Sequence, residues 1–577
     1  MDVTYPQIPD GTDDHSVWSR RLADEFWSGP VTPLTFSLLA PAMVEQMASR
    51  ALRVAGLDDL AHRPVFRLHA SHVYVNAALL GDVVDLLPGL VQSDGLLALL
   101  PPAARARVRP ATTFEGLPNA AAIAAKFLWR EPAWTPWQRA AAFDAACARI
   151  RATHATLPRA SSIRSPWALV AEIRRTQDAL GDYLAVVSWG IVFAYVSFHL
   201  LAELVRRWAP DLEAEAACLT IGLPGVVSLE AHREVLALGA HLERVPAWRD
   251  AARDELPGIA RRVADDDGEA GTAFRRMLTR HGHRLAGRDL RHPTWREAPE
   301  LLIALALRSA RTADEHAADR HPAGRRVAAV ATIETRLGGG VAGLTRRAVF
   351  RATLATAQRF CLVRENMRYH ADFFLARLRD LTLALGDRLT DDGVIAAPHD
   401  LFFLTDDELR HLALAAEGLG PTKHDRTLAT RIGARRTQFA HDAANPPPLT
   451  LDLAAQSPAP TAAPTELSGE VGAPGRCVGR AQIVRTSDDF DLVRPGDVIV
   501  AAYAEPAWTP MLDLAAGLVL EAGGELSHGA IVARELGIPA LVNVHEALTW
   551  IRSGDSVRID TAKKCVFVDR ACNVSPS

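Results

Sequence analysis

The sequence predicts a multidomain α plus α/β protein, with a large mainly α-helical domain over residues 1–445 and a small α/β domain over 468–570. Three observations lead to that fold class. The chain has 577 residues, well past the roughly 250–300 at which single hydrophobic cores stop growing. Its first three quarters repeat apolar residues at i, i+3, i+4 and i+7, as in "TPWQRAAAFDAACARIRATHATL" and "RYHADFFLARLRDLTLALGDRL", which is the period of amphipathic helices. After Gly469 the texture changes to short β-rich runs bounded by glycine and proline, such as "GDVIVAA", "LAAGLVLEAG" and "PALVNV".

Within the helical part, Tyr183–Ala202 is a run of 20 residues without Asp, Glu, Lys or Arg, long enough to span a bilayer. Charged amphipathic helices flank it, so it is expected to be a helix buried on all sides, with Ser188, Ser197 and His199 finding partners inside. Between the two domains, 446–467 holds six prolines among Ala, Ser and Thr. Such a segment predicts a semi-rigid, solvated linker and relative movement of what it joins. Residues 571–577 form a tail.

Composition excludes several functions. The apolar share is 49% and the charged share 23%, ordinary for a soluble enzyme, and the net charge of −4 offers no footprint for nucleic acid. Only four of the 64 basic residues are lysine. The six cysteines are scattered with no C-x-x-C pair, which predicts reduced thiols in a cytoplasmic protein. The N-terminus has neither the basic nor the apolar region of a signal peptide. No metal pattern is present, since His281, His283 and His292 cluster without ligand spacing. The glycine-rich Arg336–Arg347 stretch predicts a turn between helices.

The most informative stretch is "EAGGELSHGAIVARELGIPALVNV", Glu521–Val544. Ser527 is a good N-cap, "HGAIVARELG" is helical by propensity, Gly537 suits the left-handed C′ position and Pro539 stops continuation. His528 therefore stands in the first helical turn, where unpaired N–H groups and the helix dipole favour an anion on its imidazole. Gly523, Gly524 and Gly529 allow close approach of another backbone or a substrate.

"PAWTPML…GLVLEAGGELSHGAIVARELGIPALV" closely resembles the swivelling phosphohistidine domain of the phosphoenolpyruvate-utilising enzymes, over about Leu467 to Val568. That group includes pyruvate phosphate dikinase, phosphoenolpyruvate synthase and rifampicin phosphotransferase. The resemblance implies that His528 accepts a phosphoryl group and carries it between two sites, with Gly523, Gly524, Ser527 and Gly529 as its loop. The helical part resembles the substrate domain of rifampicin phosphotransferase and its relatives. The resemblance rests on "WSRRLADEFWSGPVTPLTFSLL", "RHGHRLAGRDLRHPTWREAPELL" and "VRENMRYHADFFLARLRDLTLALGDRLTDDG" with the hairpin that follows. It implies that Arg364, Glu365 and Arg368 receive the cargo, with His283 and Arg284 as further substrate contacts. The chemistry suits them: Arg364 and Arg368 share one helix face and would clamp a phosphoryl group, and Glu365 would serve as general base for a hydroxyl. Leu285 and Arg288 stand where the family often has Gly and Glu, which implies an altered substrate pocket.

Neither an ATP-grasp domain nor a phosphoenolpyruvate-binding barrel is visible, and there is no P-loop. Three readings stay open at this point. In one, a separate ATP-grasp protein uses ATP to load His528, and the phosphoryl passes to a small-molecule hydroxyl, with or without later elimination. In the second, His528 is a general acid or base for ATP-independent dehydration, isomerisation or cyclisation. In the third, the chain sequesters a drug-like ligand. Neither nucleic acid nor a membrane is an expected partner, and the chain itself is expected to hold no cofactor.

Overall fold

The computed structural model describes residues 17–27, 29–86, 97, 100–109, 117–130, 135–249, 255–310, 322–418, 427–452, 465–485, 487–504 and 508–569. The helical body is built on α1 (Pro33–Met43), α2 (Pro136–Thr156), α3 (Pro166–Trp208), α4 (Val227–Glu243), α5 (Glu269–His281), α6 (Pro299–Ala310) and α7 (Gly340–Asp391). At 43 and 52 residues, α3 and α7 are its axes, and their mutual contact is the most extensive between any two elements. The apolar run Tyr183–Ala202 is the middle of α3. That helix is long and apolar enough to cross a membrane by length and composition alone, but half of its most apolar window is buried inside the protein. The Tyr183 hydroxyl donates to the Met367 carbonyl at 2.7 Å, and Ser197 donates back to the Phe193 carbonyl at 2.5 Å. Of the polar groups expected to find partners, Ser197 does so within the helix, as does Ser188, which donates to the Ala185 carbonyl at 3.2 Å, and the His199 ring stacks against Tyr195.

Gly190 is what lets α3 approach α7. A Cβ built there would stand 2.5 Å from Cγ1 of Val363, the residue before Arg364. Gly190→Leu is therefore expected to lower stability by on the order of 1–3 kcal/mol through overpacking. A lower melting temperature by calorimetry, with activity falling because Val363 shifts the site, is the outcome to measure.

A four-stranded sheet lies against this body. Its strands are β1 (Val17–Ser19), β2 (Phe66–His69), β3 (His72–Asn76) and β4 (Thr450–Asp452), in the order β2-β3-β1-β4 and all antiparallel. The region expected to be mainly helical thus also carries strands. β4 lies inside the segment expected to be linker, and that expectation is corrected at this end: Trp18 pairs with Leu451 across more than 400 residues. Residues 453–464 lie outside the described residues, as does the tail. The hairpin expected after the long helix is a 3-10 turn, Pro398–Phe403, leading into a helix, Asp406–Ala416. The Arg336–Arg347 stretch is the expected turn between helices, with Gly338 and Gly340 at positive φ.

The C-terminal domain is an eight-stranded sheet. Its strands are β5 (Glu466–Ser468), β6 (Glu470–Ala473), β7 (Arg476–Ile483), β8 (Val498–Ala501), β9 (Gly517–Leu520), β10 (Ala540–Val542), β11 (Ser556–Asp560) and β12 (Cys565–Asp569). They run in the order β5-β12-β11-β7-β8-β9-β10-β6, with β7 to β10 parallel and the flanks antiparallel. The central strands read as unbroken apolar runs because both faces are covered: Ile499 and Leu518 point into one apolar cluster, Val500 and Val519 into the other. A short helix, α8 (Thr509–Leu512), and the helix α9 (His528–Leu536) close one face. The five described cysteines are all free thiols.

Candidate active site

The sequence signals around His528 have a local structural basis. Ser527 is extended, and its hydroxyl accepts from the Ala530 N–H at 3.4 Å, capping α9. Gly537 ends the helix at φ 68°. Gly523 holds φ 102°, and a Cβ there would lie 2.9 Å from Cβ of Ser527, so the turn carrying the cap needs glycine. Gly524 closes that turn by accepting from the Ser527 N–H at 2.9 Å. Gly529 serves packing: its Cβ would meet Leu520 of β9 at 2.5 Å.

Every residue of α9 is buried, because the helix lies between its own sheet and the helical body. Ile531 packs with Leu223, Val226, Leu229 and Cys361. The Arg534 guanidinium sits 5.9 Å over the Phe198 ring, and Glu535 accepts from the Gly222 N–H at 2.7 Å. In this arrangement His528 is 3% exposed and meets α7: its Nδ1 lies 3.1 Å from Oε2 of Glu365. Arg364 Nη1 lies 3.2 Å from the other oxygen, Oε1. The structure thus brings together His528, Glu365 and Arg364, residues 163 positions apart in the chain.

Protonation states follow from the surroundings. Burial lowers the His528 pKa, the Glu365 hydrogen bond partly restores it, and the charges of Arg368 and Arg284 lower it again. Burial pushes the Glu365 carboxyl up, but the bond from His528 and the charges of His528, Arg364 and Arg368 outweigh it and hold it below the ordinary range. Near neutral pH the pair is a carboxylate beside a neutral imidazole. A carboxylate only accepts, so Nδ1 carries the proton and donates to Glu365, and the lone pair is on Nε2. Nε2 has the Thr509 hydroxyl 3.5 Å away. The helix N-terminus, Arg284 and Arg368 all favour negative charge arriving at this nitrogen.

Arg368, one turn beyond Arg364, sits 5.6 Å over the Phe26 ring. Among the described residues it and Arg288 are the charged lining of a mostly apolar pocket with about 640 Å³ of interatomic space including its open mouth, walled by Trp27, Leu39, Met43, Leu184 and Leu375 among others. Arg288 is itself paired with Asp372 at 2.5 Å, which gives the departure from Glu noted in the sequence a structural role. Arg284 is buried 4.8 Å over Trp295 and acts on His528 through its charge. His283 is placed differently, stacked on Phe373 at 3.5 Å and 10° within a cluster that includes Tyr369. Burial drives its pKa well down.

Sequence reasoning passed over Thr509, Tyr195 and the cavity wall. Thr509 belongs to the Trp-Thr-Pro motif, so a signal for it existed. Tyr195, 5.7 Å under the Arg364 guanidinium, and the wall residues carry none, because core and cavity lining share one composition.

The fold and site define a histidine-bearing α/β domain docked onto a helical body, with its imidazole inserted against an Arg-Glu pair. Comparison with known proteins agrees. Residues 493–564 match the PEP-utilising enzyme mobile domain, and residues 187–365 match the rifampicin phosphotransferase fourth domain. The chain is 30% identical over 437 residues to a rifampicin phosphotransferase of a Streptomyces species, covering 71% of this chain and 48% of that protein. It is 32% identical over 230 residues to the chondramide synthase of Chondromyces crocatus, 37% of this chain and 6% of that one. Against the Bacillus subtilis (strain 168) rifampicin phosphotransferase the identity is 27% over 310 residues, 52% and 34% of the two chains. The chain spans between about a third and a half of the length of the rifampicin phosphotransferases it matches. It carries the mobile domain of the PEP-utilising enzymes on a helical body related to that of the rifampicin phosphotransferases.

Proposed function

We propose that this chain is a phosphohistidine-dependent phosphotransferase acting on a hydroxyl of a small, largely apolar molecule of natural-product or antibiotic type, in the cytoplasm. The observation that carries this reading is the His528–Glu365 contact at 3.1 Å, with Arg364 on the carboxylate's other oxygen and Arg368 at the cavity beside it. Loading takes place with the swivel domain away from α7. Nε2 attacks a donor phosphoryl group, forming P–N as the donor's P–O bond breaks. An ATP-grasp unit outside these 577 residues supplies the donor, ATP.

After docking, the substrate hydroxyl attacks phosphorus, the P–N electron pair returns to Nε2, and the hydroxyl proton passes to the Glu365 carboxylate. Arg364 and Arg368 stabilise the charge that develops on the phosphoryl oxygens. The phosphate ester so formed is a good leaving group, and its elimination gives a net dehydration. Incubation with an ATP-grasp partner and radiolabelled ATP is expected to leave acid-labile phosphate on His528. The reading is overturned if no donor labels it.

The Glu365–His528 dyad also favours a second reading, in which His528 acts as a general acid or base without nucleotide. Substrate turnover by the isolated chain in the absence of ATP would establish that reading in place of the first.

A further inference from the structure

Arg20 and Arg21 directly follow β1 and are 7% and 3% exposed. Arg21 crosses to the swivel domain, donating to Asn543 Oδ1 and to the His545 ring. Arg20 makes no such side-chain hydrogen bond among the described residues, although its charge acts on Asp24 and on Glu521 of the swivel domain. Its backbone N–H donates to the Leu449 carbonyl at 2.8 Å, but its Nε has no hydrogen-bond partner among the described residues, and neither does Nε of Arg21 or Oδ1 of Asp24. All three residues line a cleft between the helical body and the swivel domain, enclosing about 2820 Å³ of space including its open mouth. Arg291 from the body and Arg485 from the swivel domain, both exposed, stand on its lining.

A buried guanidinium is retained where something pairs with it. The acids of the cleft are weakened partners: burial pushes the Asp24 carboxyl up to about 7 and raises that of Glu521 as well. Four arginines face Asp24, Glu521 and Glu546 on the lining, which leaves positive charge in excess even with every carboxyl ionised. A phosphate group, with three acceptor oxygens and close to two negative charges, suits adjacent guanidinium forks better.

We infer that this cleft is a binding site for a phosphate-bearing small anion, separate from His528 and completed by arginines of both domains. Because Arg485 belongs to one wall and Arg20 to the other, the full site exists only while the swivel domain is docked. A ligand that binds only the complete site favours the docked arrangement by mass action.

Isothermal titration of the full chain with inorganic pyrophosphate, with adenosine monophosphate and with succinate tests this site. Saturable binding of either phosphate compound is expected, with succinate at least about tenfold weaker. The tighter of the two phosphates tells an inorganic ligand from an organic ester. R20Q and R485Q are each expected to weaken binding about tenfold, whereas H528A binds as the wild type does, which keeps this result independent of the phosphohistidine chemistry. Circular dichroism checks the fold of R20Q; Arg485 is exposed, so R485Q decides the matter if R20Q does not fold. No saturable binding, succinate binding as tightly as the phosphates, or wild-type affinity in R485Q overturns the proposal.

Discussion

His528→Ala is expected to abolish both phosphoryl uptake and product formation, a loss on the order of 10⁴-fold or more, while leaving the fold intact. The side chain sits in the first turn of α9, and the cap is supplied by Ser527 and the turn by Gly523 and Gly524. Its removal therefore empties the site without unmaking the helix. Circular dichroism and melting temperature should stay close to those of the wild type. The measurement is steady-state product formation with partner and ATP, alongside acid-labile phosphate on the intact protein. Ligand effects that persist in full in the alanine variant would instead mark a protein that sequesters its ligand.

Glu365→Gln is the second large effect, because the carboxylate holds the Nδ1 proton of His528 and stands where a hydroxyl proton must go. A loss of about 10²–10⁴-fold in kcat is expected, the usual range for a positioned base, with KM little changed, since the apolar cavity binds the substrate body. The pH profile separates this role from a structural one. Protonation of Nε2 removes the nucleophile, and His528 has a pKa below the ordinary imidazole value of 6.5. The acid limb of the reverse transfer, from phosphorylated product to the docked His528, should thus fall below that pH. Glu365 raises the His528 pKa, so the glutamine variant should move the limb further down. An unchanged limb would show that the two side chains do not act together in solution.

Much of this was legible in the sequence, and the gaps have physical causes. Ser527, Gly537 and Pro539 announce α9 because capping and termination are local, and the apolar runs of β8 and β9 announce a sheet covered on both faces. The helical body is legible through its period, and Tyr183–Ala202 reads correctly as a helix of that body, but not as one buried on all sides: half of its most apolar window is buried and Val192 is exposed. The small sheet is not legible. Its strands are three to five residues long, and β1 finds β4 only across the length of the domain, so nothing local marks either one. Arg364, Glu365 and Arg368 are, by sequence alone, indistinguishable from a surface salt-bridge pattern. Family resemblance singles them out, and the structure adds that two of them meet His528 through one carboxylate.

The pairing of β4 with β1 also fixes a length. One end of the proline-rich tether is pinned at Asp452 in the body's sheet and the other emerges at Glu466 in β5. At 3.3–3.6 Å per residue, the intervening chain spans at most about 45–50 Å when fully drawn out. Short of unzipping a sheet, this leash sets the radius within which the base of the swivel domain can travel. On the proposed phosphohistidine reading, any donor must meet His528 while the base of its domain stays inside that circle, which bounds where such a donor docks.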